Sequence, residues 1–282
     1  MSPIAIRIMT DSTCDLSPKD QERLGIQVIP LTVQFSGVSY LDGIELTNEQ
    51  FYNKLEKCDQ LPTTSQVAPE TFMDAFRARL DAGDEVVGIF ISSEISGTYN
   101  SACMAKKALA SDRLHIVDSR SATMGLALLV SEAAKQRDAG RSAPELYEHV
   151  AALTKKLRFL AAVNTLKYLR KGGRISATTV VIGEMLGMKP LVSVVDGAVQ
   201  SAGKARGMKA ALNTILQHAL ADLPDLRYEV AFAHSCAPDV LEQAISILKE
   251  PLALTNWLVC SIGSVIGTYA GKGAVGFAYF AK

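Results

Sequence analysis

The stretch that decides the fold is Glu85-Val86-Val87-Gly88-Ile89-Phe90-Ile91, followed directly by Ser92-Ser93-Glu94-Ile95-Ser96-Gly97. After Glu85 the first part carries no polar side chain, which is typical of a strand covered on both faces of a parallel sheet. The hydroxyl-rich part that follows marks the end of that strand. We therefore predict a buried parallel strand over 85–91 with a polar loop at its carboxyl end.

Segments on both sides of this strand alternate between apolar runs and helix signals. Further strands are predicted at 4–9, 27–35 and 114–117. Helices are predicted from Ser17-Pro18 to Gly25, from the capping box of Thr47 and Gln50 through Lys57, from Pro69-Glu70 to Gly83, and from Ser142-Ala143-Pro144-Glu145 toward Leu157. Alternating strands and helices predict a three-layer, doubly wound parallel sheet, whose ligands bind beyond the carboxyl ends of the strands.

The pattern changes after about residue 158. Strands are predicted at 159–163, 189–195, 198–205, 228–234, 252–260 and 273–280, with a helix at 238–249. Asp196-Gly197 lies between two of these strands and is a strong signal for a tight hairpin, which requires antiparallel pairing. We predict an α/β protein of two domains, an N-terminal parallel domain at 1–157 and a C-terminal domain with a mixed sheet at 158–282.

Composition narrows the functional classes. The 282 residues are 48% apolar and 21% charged, and 29 basic residues balance 29 acidic ones. No global field therefore favours nucleic acid or an anionic membrane, so an anion site must be local. The start lacks a signal peptide, and no apolar run reaches the roughly twenty residues of a membrane helix, which predicts a cytoplasmic protein without stable membrane insertion. Five scattered cysteines indicate neither a disulfide framework nor a zinc site, and no cofactor is predicted.

Two hydroxyl clusters are the first candidate ligand groups, Thr63-Thr64-Ser65 and the Ser92 to Ser96 loop. Serine and threonine hydroxyls, together with nearby backbone N–H groups, can donate to a carboxylate or a phosphate without adding charge. The same residues also cap helices and fill loops. Both interpretations stay open on this evidence alone.

A basic segment, Lys167-Tyr168-Leu169-Arg170-Lys171-Gly172-Gly173-Arg174, places four cations beside two glycines. Arg174 and Arg206 can clamp a phosphate or dock an acidic partner through their planar guanidinium groups. A solvated basic turn is the alternative.

Familiar catalytic motifs fail their context tests. Gly271-Lys272-Gly273-Ala274-Val275-Gly276 matches a nucleotide fingerprint, but a strand rather than a helix follows it, and Ser201 to Lys204 lacks the companion motifs of a serine acyltransferase. Of the four histidines (His115, His149, His218 and His234), only His234 follows an apolar strand into a polar loop. A hydrolase or phosphotransferase that uses Asp11 or Cys14 remains as the rival hypothesis, although haloacid dehalogenase-like phosphatases separate their two aspartates by one residue and here three residues separate Asp11 from Asp15.

Six blocks stand in order along the chain. They are Thr10-Asp11-Ser12-Thr13-Cys14-Asp15-Leu16, Thr64-Ser65-Gln66, Ser92-Ser93-Glu94-Ile95-Ser96-Gly97-Thr98-Tyr99-Asn100, Val117-Asp118-Ser119, Lys171-Gly172-Gly173-Arg174-Ile175 and Met188-Lys189-Pro190. Taken in this order, they resemble the DegV family. The series spans nearly the whole chain, so it is far more specific than any single block.

The resemblance implies a fatty-acid-binding protein rather than an enzyme. By residue-to-residue match, Thr64, Ser65, Ser96 and Gly97 would hold the carboxylate, and the acyl tail would enter an apolar tunnel in the second domain. The apolar stretches 180–188 and 252–265 could line such a tunnel, and they could equally be plain core. Members of the bacterial fatty acid kinase system present the acid to a separate ATP-using kinase, which makes the acyl phosphate. The resemblance assigns Arg174 and Arg206 to that kinase or to the phosphate.

Two departures from the family pattern concern the head-group site. Tyr269 stands where a histidine is common, and a tyrosine can donate a hydrogen bond but carries no positive charge near neutral pH. Lys272 replaces a usual proline and is a possible source of charge. The proline that often follows Thr64-Ser65-Gln66 is displaced to Pro69.

Overall fold

The computed structural model describes residues 5–58, 60–175 and 187–282. Its strands, in chain order, are β1 (Ile6–Asp11), β2 (Ile26–Ile29), β3 (Thr32–Phe35), β4 (Val38–Leu41), β5 (Thr63–Ser65), β6 (Glu85–Phe90), β7 (Leu114–Asp118), β8 (Leu157–Ala162), β9 (Met188–Val195), β10 (Ala198–Arg206), β11 (Val230–His234), β12 (Trp257–Ser261) and β13 (Val275–Phe280). Its α-helices are α1 (Pro18–Leu24), α2 (Asn48–Lys57), α3 (Pro69–Asp81), α4 (Thr98–Leu109), α5 (Thr123–Asp138), α6 (Ala143–Thr154), α7 (Lys167–Lys171), α8 (Met208–Ala221), α9 (Pro238–Leu248) and α10 (Ser264–Ala270).

The N-terminal sheet is parallel throughout, with strand order β2-β1-β6-β7. On one face of β6, Val86 and Phe90 pack with α3 and α4, and on the other face Val87 and Ile89 pack with α5. Both faces are therefore covered, and the predicted buried parallel strand is confirmed. The predicted capping box of Thr47 with Gln50 is present at α2, and the predicted helix start at Ser142 is a second capping box, with Glu145, at α6.

The C-terminal sheet is mixed, with strand order β10-β9-β8-β13-β11-β12. Only β11 and β12 pair in parallel, and the other neighbours are antiparallel. The predicted hairpin joins β9 to β10, and Asp196 and Gly197 have φ angles of 50° and 84°. Two positive φ angles are what a two-residue type I′ turn requires, so the hairpin prediction is confirmed.

Two predicted strands differ from the structure. The run at 27–35 is two strands in different sheets, because Pro30 lacks an N–H and the chain turns there. β2 joins the parallel sheet, whereas β3 is the centre of a small antiparallel sheet of order β4-β3-β5, which the sequence did not predict. The run at 252–260 is a strand only from Trp257, since Leu252 and Leu254 belong to the core beneath α8 and α9.

Helix α5 lies between the two large sheets. Its residues from Thr123 to Ala134 are buried on every side, and one core cluster joins the helix to strands of both sheets. A helix that is buried all round must be covered by partners on all faces. The mixed sheet begins at Leu157, but because this core is shared, the division at 157/158 stays a prediction.

Candidate functional site

A polar cavity collects all five predicted carboxylate ligands, Thr64, Ser65, Ser96, Gly97 and Tyr269. Its residues come from β5, the loop before α4, the turn after α7, and α10, and they are Leu31, Thr64, Ser65, Gln66, Ile91, Ile95, Ser96, Gly97, Arg174, Val265, Ile266 and Tyr269. Thr64 reaches this cavity because β5 pairs with β3, and Ser96 reaches it because the loop after β6 lies at the carboxyl end of the parallel sheet. Thr64, Ser65 and Ser96 of the two hydroxyl clusters therefore line one space, whereas Ser92 Oγ donates to the Gly197 carbonyl oxygen and Ser93 Oγ donates to the Asp118 carboxylate.

Tyr269 is fixed by three neighbours. Its hydroxyl oxygen lies 2.6 Å from Thr64 Oγ1, and the Arg174 guanidinium carbon lies 4.7 Å from the centre of its ring. A side chain on Gly172 would collide with the ring, so only glycine permits this approach. Arg174 in turn donates to the carbonyl oxygens of Gly172, at 2.7 Å, and Ile95, at 3.3 Å. Tyr269, which stands where a histidine was expected, therefore has the Arg174 guanidinium against its ring.

The N-terminus of α4 provides the other wall. Gly97 is the N-cap, and the first turn contains no acidic residue. A Cβ on Gly97 would collide with Gln66 Oε1, and Gln66 Nε2 donates to Ser101 Oγ at 2.9 Å. Ser96 Oγ lies 3.0 Å from Thr98 Oγ1. Unpaired N–H groups and the helix dipole favour an anion at such a helix start.

An apolar cavity adjoins the polar one. It comprises about 690 Å³ including its opening to solvent, and it shares Ile95, Arg174, Ile266 and Tyr269 with the polar cavity. The mixed sheet forms its floor, and α5 and α10 contribute to its roof. The other residues that line it are Ala122, Thr123, Met124, Phe159, Ala161, Val163, Leu169, Val192, Val194, Val199, Ala233, Ile262, Ala270, Ala274, Val275 and Gly276. A polar end and an apolar body therefore meet at one junction.

Of the two segments considered as tunnel lining, 180–188 and 252–265, only some residues line the cavities. Ile262 lines the apolar cavity and Val265 lines the polar cavity, whereas Leu252 and Leu254 are ordinary core. Of 180–188, residues 180–186 lie outside the described residues. Strands β8, β9 and β10 supply side chains that the sequence did not point to, because the alternation of a half-buried strand does not tell a cavity wall from a packed core.

The three cationic residues predicted for the site do not lie together in the structure. Arg174 lines both cavities, but Arg206 is exposed at the end of β10 and lines neither. Lys272 forms an ion pair with Glu56 at 2.7 Å and also lines neither cavity, so it supplies no charge at the head of the site.

Asp11 and Cys14, the residues of the rival hypothesis, are buried in the structure. The Asp11 carboxylate accepts from the backbone N–H groups of Thr13, at 3.0 Å, and Ile91, at 2.8 Å, and so ties β1 to β6. Burial raises its pKa to about 6. Burial also raises the pKa of the Cys14 thiol, which keeps it protonated and therefore a weak nucleophile at neutral pH. Neither side chain lines the polar cavity.

The remaining histidine candidate is also structural. His234 Nδ1 accepts from the N–H of Ala237 at 3.1 Å, and burial lowers the pKa of the imidazole. Among the described residues, no group of three or more histidine, cysteine or acidic side chains is arranged to hold a metal ion. In the same residues, every helix is too short or too polar to cross a bilayer.

Sequence and structure comparisons agree on one family. The family model described as "Uncharacterised protein, DegV family" matches residues 5–282. A DegV domain-containing protein of Caldanaerobacter subterraneus subsp. tengcongensis is 35% identical over 272 residues, which are 96% of this chain and 97% of the relative.

Solved structures of similar proteins share the fold over nearly the whole chain. A DegV family protein of Thermus thermophilus, described for its fatty acid binding, has a TM-score of 0.90 and 32% identity, covering 99% of this chain and 100% of that one. DegV of Bacillus subtilis, described as a fatty acid binding protein, has a TM-score of 0.84 and 28% identity, with the same coverage. The predicted two-part α/β fold is thus shared with proteins whose crystal structures concern fatty acids.

Proposed function

The chain belongs to the DegV family, and from this premise we propose that it binds a long-chain fatty acid, with the carboxylate in the polar cavity and the acyl chain in the apolar cavity. The single observation that carries the proposal is the junction at Ile95, Arg174, Ile266 and Tyr269, where the two cavities share their walls. The Thermus thermophilus and Bacillus subtilis relatives, which are described as binding fatty acids, support it.

The chemistry of the two cavities suits the two ends of such a ligand. Each buried methylene contributes about 0.8 kcal/mol, so the acyl chain supplies most of the affinity. Hydroxyls of Thr64, Ser65, Ser96 and Tyr269 and the N–H of Gly97 would orient the carboxylate, as neutral donors do in most ligand sites.

Arg174 is the proposed source of positive charge for the carboxylate in the absence of the histidine. It already lines both cavities and lies against Tyr269, so its guanidinium is within the same wall as the neutral donors. A guanidinium retains its charge at any physiological pH, unlike an imidazole. The preference for a carboxylate would therefore persist above pH 7.

A partner kinase is the proposed destination of the bound acid. The fatty carboxylate would itself attack the terminal phosphorus of ATP, which forms the acyl phosphate and releases ADP, and we assign ATP binding and catalysis of this step to a separate kinase. We assign Arg206, exposed at the end of β10, to the encounter with an ATP-using kinase in the cytoplasm, and the chain itself to carriage rather than catalysis. Arg206→Ala should then slow acyl-phosphate formation with a fatty acid kinase while leaving fatty acid affinity unchanged.

Native mass spectrometry of the purified chain tests the main proposal. We expect co-purified fatty acid and, after delipidation, uptake of hexadecanoic acid in preference to hexadecanol, which has the same chain without the carboxylate. Absence of co-purified lipid, together with no affinity for fatty acids of any length, would refute it.

A further inference from the structure

A third cavity lies behind the apolar one. It opens to solvent, holds about 1000 Å³ including its mouth, and is bordered by the charged side chains of Arg120, Lys155 and Arg158. Arg158 forms an ion pair with Asp222 at 2.6 Å, and Arg120 lies 3.6 Å from Glu94. We refer to it as the rear cavity.

Phe159 and Val194 line both the apolar cavity and the rear cavity. Strands β8 and β9 are antiparallel neighbours, and their pair Leu160 with Ser193 places residues 159 and 194 side by side at the next position. Both side chains are half-buried. They therefore form the partition between the two spaces.

Phe159 is the larger of the two side chains that form the partition. On the other side of β8, the residue paired with Phe159 is Ala278, and the nearby floor of the apolar cavity consists of Ala161 and Gly276. Phe159 is the only aromatic side chain that the mixed sheet contributes to the described lining of this cavity. Its ring is thus the bulk that separates an apolar space from a charged, wet one.

We propose that Phe159, seated beside Val194, sets the upper limit on the length of the acyl chain. This inference rests on the proposed fatty acid binding. A methylene that stays in front of the partition is removed from water, whereas one that passed it would lie beside charged side chains and solvent and gain little. Affinity should rise by about fourfold for each added methylene until the chain reaches Phe159, and then level off.

The experiment measures dissociation constants of saturated straight-chain acids from 12 to 24 carbons for the wild type, Phe159→Ala and Phe159→Trp. Phe159→Ala vacates the apolar space that the ring occupies in front of the rear cavity, so the levelling-off should move outward by one or two methylenes, with a gain of about tenfold for the longest acids relative to the wild-type profile. Phe159→Trp should move the chain length at which affinity levels off to shorter chains.

Leu160→Ala is the matched control, because Leu160 lies on the same strand but packs into the core on the opposite face. It should lower thermal stability and leave the chain-length profile in place. If Phe159→Ala does not fold, the chain-length profiles of Phe159→Leu and Val194→Ala test the proposal instead. Both substitutions make a side chain of the partition smaller and remove fewer packing contacts than Phe159→Ala does.

An unchanged chain-length profile in the Phe159 variants, in a protein that binds fatty acids, would overturn the inference and leave the proposed function standing. A wild type that binds no fatty acid of any length would overturn both.

Discussion

The hydroxyl pair of Thr64 and Tyr269 leads to a prediction about redundancy at the head of the site. The two oxygens are 2.6 Å apart, so one hydroxyl donates its hydrogen to the other. Each hydroxyl carries one hydrogen, and the pair therefore has one hydrogen left for a bound carboxylate, whichever way the internal bond points. Removing either hydroxyl leaves that number unchanged.

Thr64→Val and Tyr269→Phe are close to isosteric, and the second substitution keeps an aromatic ring against Arg174 and Gly172. Each single substitution should weaken fatty acid binding by less than about tenfold, because a net neutral hydrogen bond is worth roughly 0.5–1.5 kcal/mol. The double variant loses the donor to the carboxylate, which is worth roughly 1.5–3 kcal/mol, or about 10- to 150-fold in Kd. The double substitution should therefore cost more than the two single ones added together.

Isothermal titration of delipidated protein with hexadecanoic acid measures these costs, and hexadecanol serves as the ligand without a carboxylate. Hexadecanol affinity should change little across the four proteins. If Tyr269→Phe alone cost as much as the double substitution, the donor would be the tyrosine and the redundancy argument would be wrong. A double variant within twofold of the wild type would remove this pair from the carboxylate site.

Three further predictions concern the same site and the core beside it. Ser96→Ala combined with Thr64→Ala should weaken carboxylate binding by a few kcal/mol at most, mainly the roughly 1.5–3 kcal/mol of the lost Ser96 bond because Tyr269 can donate in place of Thr64, and unchanged affinity in calorimetry would exclude Ser96 as an anchor. Gly97→Ala should weaken binding because its Cβ would collide with Gln66 Oε1, and Gln66→Ala in the same chain should restore affinity; failure of that rescue would place the defect elsewhere. The pKa of Asp11 is raised from 3.8 to about 6, so the folded state holds the proton that the unfolded state releases, and the free energy of unfolding should fall as pH rises from about 4 to about 6. The free energy of unfolding of Asp11→Asn, measured in urea, should fall less than that of the wild type over this pH range. An equal fall in the two proteins would contradict the raised pKa of Asp11.

Local signals in the sequence were enough for much of the fold. The apolar run at 85–91 identified the central parallel strand, Asp196-Gly197 identified the hairpin, and the two capping boxes fixed helix starts, because each depends on residues within a few positions of one another. Residues 27–35 show the limit of such signals. Their apolar pattern does not reveal that the chain leaves one sheet at Pro30 and enters another.

The candidate site was predictable only in part, for a related reason. Its hydroxyl groups stand in short polar blocks and could be recognised, whereas the contact of Arg174 with Tyr269 joins residues 95 positions apart. Gly172 looked like part of a basic turn, and its close approach to the Tyr269 ring depends on how α7 meets α10. Phe159 carried no signal at all, since a phenylalanine in a strand is usually core.

Helix α10 explains why these distant residues meet at a fixed geometry. Two buried carboxylates hold its start, with Asp15 accepting from the Gly263 N–H at 2.8 Å and Asp42 accepting from the Ser264 N–H at 3.0 Å. Burial raises the pKa of both acids, and each lies close enough to the other for their repulsion to raise the pKa of Asp15 further. These acids come from the N-terminal half, and the helix that they hold carries Tyr269 to Thr64, also of that half. The same helix presents Ile266 to both cavities. The polar and apolar parts of the site are therefore aligned by one short helix that is bonded to the first half of the chain and packed against the second, and a substitution at position 269 changes the donor without changing the frame that positions it.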